Sequence, residues 1–404
     1  MIMPTLVDKN NCSGCSACAS ICEKEAITMV PNEEGFLHPI IDSKLCVNCG
    51  LCGNVCPGLI PAKNKKNDFI AKAYIVQHKD DNIRYQSTSG GAFTAIAEEV
   101  IRRGGVVFGA ALNDDLYVHH ISVSKVAELA RFRNSKYVQS EIGNTYKEAK
   151  SLLKNDTSVC FSGTPCQING LCKFLGKDYA NLITVDVVCK SVPSPLVFDK
   201  YVEFKKLSEK KITDIVFRDK KRGFLYCTMA HYSTHNNKDN GDAVYRRGSE
   251  SDEWLRLFLS GRISRRSCNM CHYQTRERVS DITLGDIWET HKPEFDDNKG
   301  TTMVHVWTNK GRDFLDSISS NINCANYAIE KSDGVERSNT VTLNTEREQL
   351  FKDANSLSAE LFFNKYAPYS LIVRLKNFGR YAIWKLHLHS LVRRIKHLII
   401  HRKK

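Results

Sequence analysis

Helical and strand-like hydrophobic patterns alternate along the middle of the chain. Apolar residues recur every three to four positions over Ala92–Arg103, and the glycine pair Gly104-Gly105 ends that pattern. Val106–Ala111 then forms a continuous apolar run, which is typical of a buried strand. The pattern next predicts helix, strand, helix and strand over Thr145–Leu153, Ser158–Phe161, Pro165–Leu175 and Leu182–Val188. This alternation predicts an α/β sheet with parallel strands.

Changes in composition divide the chain into parts. We expect a small domain over residues 1–62, a charged linker over 63–70, a larger mixed α/β domain over 71–335 and a helical, basic, amphipathic tail over 336–404. A length of 404 residues suits two or three domains. No run of about eighteen apolar residues occurs, so no membrane-spanning helix is predicted. The start of the chain does not resemble a signal peptide, and sixteen cysteines are therefore expected in the reducing cytoplasm.

The positive charge is concentrated at the carboxyl end. The net charge is +13, but ten of the Lys and Arg residues lie between Arg374 and Lys404, where Asp and Glu are absent. No nucleic-acid-binding motif accompanies this charge, so nucleic acid is not an expected partner. In the tail, apolar residues recur at helical spacing at Trp384, Leu388, Leu391, Ile395 and Leu398. Such a helix could lie on the inner face of an anionic membrane, or dock on the protein's own body or on a partner.

Eight cysteines near the amino terminus form two copies of one motif. The run from Cys12 to Cys22 has the spacing C-x2-C-x2-C-x3-C, and the run from Cys46 to Cys56 repeats it, with Pro57 following. Three thiolates in one tight loop are what a 4Fe-4S cluster needs, and small residues leave room for backbone amides near the sulfides. Zinc sites instead use two spaced pairs of ligands. The sequence predicts a two-cluster ferredoxin domain.

The fourth cysteine of each run is predicted to serve the other cluster, as in two-cluster ferredoxins. The first ligand set is then Cys12, Cys15, Cys18 and Cys56. The second is Cys46, Cys49, Cys52 and Cys22.

Four more cysteines are candidates for a third site. Cys166 follows a strand at a predicted helix start, where thiolate would be favoured, and Cys189 closes the next strand. Ligands in open α/β sheets collect beyond the carboxyl ends of strands, so these two thiols could share one crevice. Cys268 and Cys271 form a C-x2-C pair, which by spacing alone could be a redox pair, half a zinc site or incidental. Packing is expected for the remaining cysteines, Cys160, Cys172, Cys227 and Cys324.

Five segments in order resemble the beta subunit family of coenzyme F420 hydrogenases and dehydrogenases. They are Ser87–Phe93, Lys136–Ser140, Phe161–Gln167, Val185–Pro195 and Ser280–Trp288. The resemblance spans about residues 71–330. It implies a small ferredoxin domain fused to a larger α/β flavin and iron–sulfur domain. It also implies FAD beside a third 4Fe-4S cluster held by Cys166, Cys189, Cys268 and Cys271.

The same resemblance implies the flavin contacts. They are Ser87, Ser89, Gly90, Gly91, Lys136, Tyr137, Gly163 and Thr164. Backbone amides at a helix start favour anions and glycine permits close approach, although Ser89 could instead be a plain helix cap. Lys190 stands where many relatives have histidine, and it could stabilise a reduced flavin or an acidic substrate, or be a solvated lysine. Lys136 and Lys190 are the candidate catalytic residues.

The combined hypothesis is an oxidoreductase that passes electrons between ferredoxin-type clusters and FAD and on to a small-molecule acceptor. Coenzyme F420 is one acceptor, and an intermediate of cell-envelope polysaccharide assembly is another. The expected electron partner is a redox protein or a ferredoxin. The alternative is a carrier subunit without catalysis, which would hold clusters but no flavin.

Overall fold

The computed structural model describes residues 4–60, 70–208, 212–233, 243–275, 278–288, 290, 292–328, 343–388 and 392. Its α-helices are α1 (Ala17–Ile21), α2 (Leu51–Asn54), α3 (Asp81–Gln86), α4 (Ala92–Arg102), α5 (Thr145–Lys154), α6 (Pro165–Leu175), α7 (Pro195–Ser208), α8 (Glu253–Ser260), α9 (Asn309–Ser317), α10 (Thr345–Ser356), α11 (Ala359–Tyr366) and α12 (Leu371–Lys385). Its strands are β1 (Ile27–Pro31), β2 (Leu37–Ile41), β3 (Lys72–His78), β4 (Val106–Leu112), β5 (Val118–Val123), β6 (Val159–Gly163), β7 (Leu182–Val187), β8 (Ile212–Asp219), β9 (Thr228–Ser233), β10 (Tyr245–Gly248), β11 (Ile282–Asp286), β12 (Thr302–Val306) and β13 (Ile322–Tyr327). The mixed α/β class predicted from the sequence is confirmed.

An eight-stranded sheet forms the centre of the larger domain. Its strand order is β13-β3-β12-β11-β7-β6-β4-β5. The neighbours β4, β6, β7 and β11 are parallel, whereas β5 and β12 pair with them antiparallel. The predicted parallel sheet is therefore correct for the centre, and the antiparallel strands lie outside it. Strands β4, β6, β7 and β11 all end at one edge of the sheet.

Helices cover both faces of this sheet. Along β6, Val159 and Phe161 face the core that contains α5 and α6, while Cys160 faces the core that contains α4 and α9. Successive strand residues point to opposite faces, and burial on both sides explains why these strands are apolar throughout. Cys160 is a packing residue as predicted, but Cys324 is exposed, which corrects that expectation.

A second, three-stranded antiparallel sheet has the order β10-β9-β8. Together with α7, α8, α10 and α11 it encloses an aromatic core around Phe217, Trp254 and Phe362. No helix among the described residues is long and apolar enough to cross a membrane. The tail positions Leu391, Ile395 and Leu398 lie outside the described residues, as does most of the 63–70 segment.

The amino-terminal segment contains α1, α2 and the antiparallel pair β1 and β2. It packs closely on the larger domain. A Cβ atom added to Gly170, in α6, would lie 2.9 Å from Sγ of Cys15. Glu34 accepts two hydrogen bonds from Arg347 of α10, at 2.7 and 2.6 Å. The cysteine loops are thus held against helices of the main body.

Candidate functional site

One cavity is lined by four of the cysteines predicted as a ligand set. They are Cys12, Cys15, Cys18 and Cys56. Burial raises the pKa of Cys15 to about 12, and the neighbouring Cys12 thiol adds to this shift. Burial also raises the pKa of Cys18, and Cys15, Cys12 and Cys56 act in the same direction. Thiols grouped this closely disfavour ionisation, so bound iron would have to compensate several thiolates at once.

The two cysteine loops share one backbone conformation. Gly14 and Asn48 both have positive φ angles, 68° and 56°, and they occupy the same position in each motif. Ser16 and Gly50, two residues farther on, also match, at 63° and 73°. Small polar residues and glycine tolerate this left-handed region, whereas bulky ones do not. The repeat read from the cysteine spacing is therefore also a repeat of the loop geometry.

The second set brings Cys22 to the later run of cysteines. Burial raises the pKa of Cys52, and the thiols of Cys49 and Cys22 contribute to that shift. Cys49 is exposed, in contrast to the buried Cys12 and Cys15. The crossed pairing fits both sets of thiols, and the Cys46–Cys52 loop lies nearer to solvent.

Cys166, Cys189, Cys268 and Cys271 come together at the carboxyl edge of the large sheet. Burial raises the pKa of Cys189, and the thiols of Cys268, Cys166 and Cys271 add to the effect. Burial likewise raises the pKa of Cys166 to about 11, which opposes the thiolate that the helix start was expected to favour. The soft sulfur donors suit a 4Fe-4S cluster. Among the described residues, no three His, Cys, Asp or Glu side chains are grouped to hold a single metal ion.

Helix α6 joins the first and third groups of thiols. It begins one residue before Cys166, and Thr164 caps it through a capping box with Gln167. Thr164 Oγ1 lies 3.1 Å from Sγ of Cys166. One turn farther along, Gly170 contacts Cys15. The absence of a side chain at Gly170 lets the Cys15 loop approach the helix that carries Cys166.

The Arg218 cluster, formed by Arg218, Tyr137, Phe224, Asp286 and Trp288, lies between the small sheet and the same edge of the large sheet. Arg218 of β8 donates to Asp286 Oδ2 at 2.8 Å and to Tyr137 Oη at 3.1 Å. Its guanidinium lies 5.4 Å from the ring centroid of Phe224 and 4.9 Å from that of Trp288. Nη2 of Arg218 is buried and has no hydrogen-bond partner in the described part of the chain. Such an orphaned donor fits a bound acceptor.

The Ser87–Gly91 turn is braced from several sides. Ser87 and Ser89 donate their hydroxyl hydrogens to the backbone oxygens of Ile83 and Thr301. A Cβ atom on Gly90 would lie 2.2 Å from a backbone oxygen of β3, so close packing requires this glycine. Gly91, with φ of 86°, is the N-cap of α4, and the alternative of a cap by Ser89 is therefore wrong.

Lys220 connects the Ser87–Gly91 turn to the Arg218 cluster. Its ammonium donates to the backbone oxygens of Arg84, Ser89 and Lys299, at 2.6, 2.7 and 2.8 Å. Burial, together with the charge of Arg84, lowers the pKa of Lys220 to about 7. The Ser87–Gly91 turn and the Arg218 cluster are thus neighbours.

The remaining predicted contacts are only partly gathered there. Tyr137 stacks on Phe258, with ring centroids 4.5 Å apart, and Nζ of Lys190 lies 5.9 Å from the same ring. Lys136 donates instead to the backbone oxygens of Arg131 and Arg133. The backbone amide of Thr164 donates a hydrogen bond to the side-chain oxygen of Gln167. Gly163 packs beside Gln167 and His120.

Sequence reasoning did not single out Arg218, Phe224 or Lys220. No motif marks them, because they lie in β8 and the turn after it, outside the segments that resemble the family. Asp286 and Trp288 are in the Ser280–Trp288 segment, which was the one available signal.

Two known families match separate parts of the chain. Residues 11–59 match the 4Fe-4S dicluster domain, and residues 156–331 match the carboxyl-terminal domain of the family "Coenzyme F420 hydrogenase/dehydrogenase, beta subunit". These matches confirm the resemblance read from the sequence.

Relatives from Methanocaldococcus jannaschii match parts of the chain. A coenzyme F420-dependent sulfite reductase is 27% identical over 172 residues, covering 42% of this chain and 26% of that protein. An uncharacterized protein is 27% identical over 203 residues, covering 42% of this chain and 54% of that protein. An uncharacterized ferredoxin is 28% identical over 82 residues, covering 20% and 95%. The chain thus matches only about a quarter and a half of the first two relatives.

A solved chain of the F420-reducing [NiFe] hydrogenase complex from Methanosarcina barkeri is also similar. Its TM-score is 0.44 at 14% sequence identity, and the match covers 76% of this chain and 97% of that one.

Proposed function

We propose that this protein is an oxidoreductase that moves electrons between the ferredoxin clusters and FAD. The chain matches a 4Fe-4S dicluster domain and, farther along, the carboxyl-terminal domain of coenzyme F420 hydrogenase and dehydrogenase beta subunits. The observation that carries this proposal is the contact of Cys15 with the helix that bears Cys166. Biological electron transfer needs redox centres in close succession. This contact brings the first ferredoxin loop to the third group of thiols, which includes Cys166.

The four thiols of Cys166, Cys189, Cys268 and Cys271 would hold a third cluster. They are grouped at the carboxyl ends of β6 and β7, and each is at least partly buried. Cys189 and Cys268 are also linked through neighbouring backbone, because Val192 N donates to Sγ of Cys268 at 3.4 Å. An amide donor to sulfur is a recognised means of stabilising a cluster's reduced form.

The flavin would bind beside the Arg218 cluster. Its orphaned Nη2 atom offers a donor to an acceptor on a bound ligand, and Tyr137 and Trp288 provide aromatic walls. A flavin would supply the exchange between single electrons and electron pairs. Arg218 would bind and orient its polar groups, Lys220 would hold the adjoining Ser87–Gly91 turn in place, and Lys190 would lie at the edge of the site beside Phe258. Lys136 and the Ser87–Gly91 turn remain candidates for contacts through backbone groups.

The exposed loop around Cys49 is where a redox partner would dock. Leu45, Val47 and Leu51 surround Cys49 with exposed apolar surface. The opposite cysteine loop, with Cys12 and Cys15, is buried against the main body. Electrons would therefore be exchanged with a partner through the second ligand set and with the body through the first.

Cofactor content after anaerobic purification tests this function. The proposal expects about twelve irons and one FAD per chain. Eight irons with no flavin, after reconstitution with both iron and FAD, would contradict it and support the carrier subunit instead. Acceptor tests with coenzyme F420 would then separate a deazaflavin reductase from a reductase of another small molecule, such as an intermediate of envelope polysaccharide assembly.

A membrane-facing role of the tail rests on a separate observation. On α12, Leu371, Leu375 and Phe378 are 70, 62 and 70% exposed, while Val373 is buried and Arg380 donates to Glu250 of the body. One face of α12 is thus docked on the protein and its outer face is apolar. From Arg374 to Lys404 the tail carries ten Lys and Arg residues without Asp or Glu, which suits an anionic lipid surface.

Vesicle co-sedimentation tests that role. The intact protein should bind vesicles containing phosphatidylglycerol, weakly or not at all those of phosphatidylcholine alone, and Leu375→Glu with Phe378→Glu should abolish binding. Equal binding by the double variant and the parent protein would contradict it.

A further inference from the structure

Arg265 differs from the other buried arginines in the described part of the chain. Arg84, Arg218 and Arg347 are buried, and each has a carboxylate oxygen within 2.8 Å. Arg265 is only 2% exposed, and among the described residues it makes hydrogen bonds but no ion pair. A buried charge without a counter-charge is strongly unfavourable. Its compensation must therefore come from something other than a carboxylate.

The hydrogen-bond partners of Arg265 are all neutral. Its Nε donates to the backbone oxygen of Cys12 at 2.6 Å, and Nη1 donates to Oε1 of Gln139 at 3.0 Å. Its Nη2 donates to the backbone oxygen of Leu37 at 2.9 Å and lies 3.2 Å from Nε2 of His38. Burial and the charge of Arg265 lower the pKa of His38 to about 4, so this imidazole is uncharged at neutral pH. The side chain is held firmly, but its charge is not neutralised.

Arg265 lies between two of the cysteine groups. Its backbone oxygen accepts from the amide of Cys268 at 3.0 Å, and its side chain reaches the backbone of Cys12. A Cβ atom on Gly14 would lie 2.8 Å from Nη1, so the glycine of the first cysteine loop makes room for the guanidinium.

We propose that Arg265 is a positioning residue whose positive charge raises the reduction potentials of the clusters held by Cys12, Cys15, Cys18 and Cys56 and by Cys166, Cys189, Cys268 and Cys271. The inference rests on the proposed function. Reduction adds negative charge to a site of four thiolates, and a fixed cation in a buried setting stabilises that added charge. A single guanidinium between both sites therefore raises both potentials.

Redox titration followed by EPR tests this role in the intact, cluster-loaded protein. Arg265→Gln removes the charge, and Gln139→Glu keeps Arg265 but adds a carboxylate of nearly the same shape beside it. Both should shift the two potentials to more negative values. Arg265→Lys, which retains the charge, should stay closer to the parent protein than Arg265→Gln does. Arg266→Gln is the matched control, because Arg266 is paired with Glu34 and Glu348. The cluster potentials of this variant should equal those of the parent protein.

Unchanged potentials in Arg265→Gln with full iron content would overturn the inference. So would a Lys variant that shifts as far as the Gln variant, because hydrogen bonding rather than charge would then set the potential. If Arg265→Gln loses iron, Gln139→Glu decides the question. Failure of the proposed function is recognised separately, as eight irons without flavin, and the potential of the Cys12 group still reports on Arg265.

Discussion

At the scale of single residues, the crossed use of Cys56 is the most direct consequence of the structure. Cys56 belongs to the second motif but lines the same cavity as Cys12, Cys15 and Cys18. Cys56→Ala should therefore remove or degrade the cluster of the first motif, with the loss of up to about four irons, and leave the exposed cluster near Cys49 in place. Iron analysis and EPR check this result.

Cys227→Ala is the matched control for that change, because Cys227 belongs to none of the three cysteine groups, and its iron content should equal that of the parent protein. Loss of the EPR signal of the Cys49 cluster in Cys56→Ala, with the other retained, would show that each motif is self-contained.

The lowered pKa of His120 predicts how the stability of the protein depends on pH. Burial lowers the pKa of His120 to about 4, whereas an unfolded histidine titrates near 6.5. Below pH ~6.5 the unfolded chain binds a proton that the folded protein excludes until about pH 4, so stability falls over this window, by an amount on the order of 3 kcal/mol. In His120→Asn the fall in the free energy of unfolding across this window should be smaller by this amount. Denaturant unfolding between pH 7.5 and 4.5 measures it, and parallel curves for the two proteins would contradict it.

At the scale of elements, α6 is the part on which the route between cysteine groups depends. Gly170→Ala would place Cβ 2.9 Å from Sγ of Cys15. Overpacking of this kind costs roughly 1–3 kcal/mol, and displacement of the Cys15 loop should also slow electron exchange beyond it. Thermal unfolding and the rate of flavin reduction report the two effects.

Gly379→Ala is the corresponding control, because a Cβ atom at this helical position meets nothing within 4 Å. Alanine favours helix over glycine by about 1 kcal/mol, so this variant should be unchanged or slightly stabilised. A Gly170→Ala protein that behaves like Gly379→Ala would show that the contact is not tight.

The elements that the sequence predicted well are those with a strong local pattern. Helix α6 was predicted over the residues that form it, and β4, β6 and β7 were correct to within one or two residues at each end. The parallel centre followed from the alternation of helices and strands. The antiparallel partners β3, β12 and β13 could not be inferred, because their pairing joins segments more than two hundred residues apart.

The candidate site was predictable to a similar degree. Cysteine spacing identified the ferredoxin sets, and strand ends placed Cys166 and Cys189 at one edge. The roles proposed for Arg218, Lys220 and Arg265 depend on the tertiary fold, and an arginine or lysine at a strand end or in a loop carries no local signal of such a role.

At the scale of the whole molecule, Glu34 links the ferredoxin segment to the carboxyl-terminal helices. Glu34 and Arg347 are almost fully buried and joined by two hydrogen bonds, and Arg266 adds a second cation. Glu34→Gln would remove the close counter-charge of Arg347, whose next carboxylate is Glu348 at 4.0 Å, at a cost of up to about 3–5 kcal/mol. Calorimetry under anaerobic conditions should show a lower melting temperature, whereas the exposed neighbour Glu33→Gln should melt like the parent protein. Equal melting of both variants would mean that this pair does not hold the segment in place.

The central claim is that electrons pass from the ferredoxin clusters through the Cys166 group to a flavin. The most direct test is rapid mixing of the anaerobic, fully loaded protein with a separate, reduced ferredoxin. The visible absorption of the flavin is followed, and the parent protein is compared with Cys189→Ser. The account predicts fast bleaching of the flavin in the parent protein and a large loss of rate in Cys189→Ser, with the ferredoxin clusters still reduced in both. Flavin reduction at the same rate in the two proteins would contradict it.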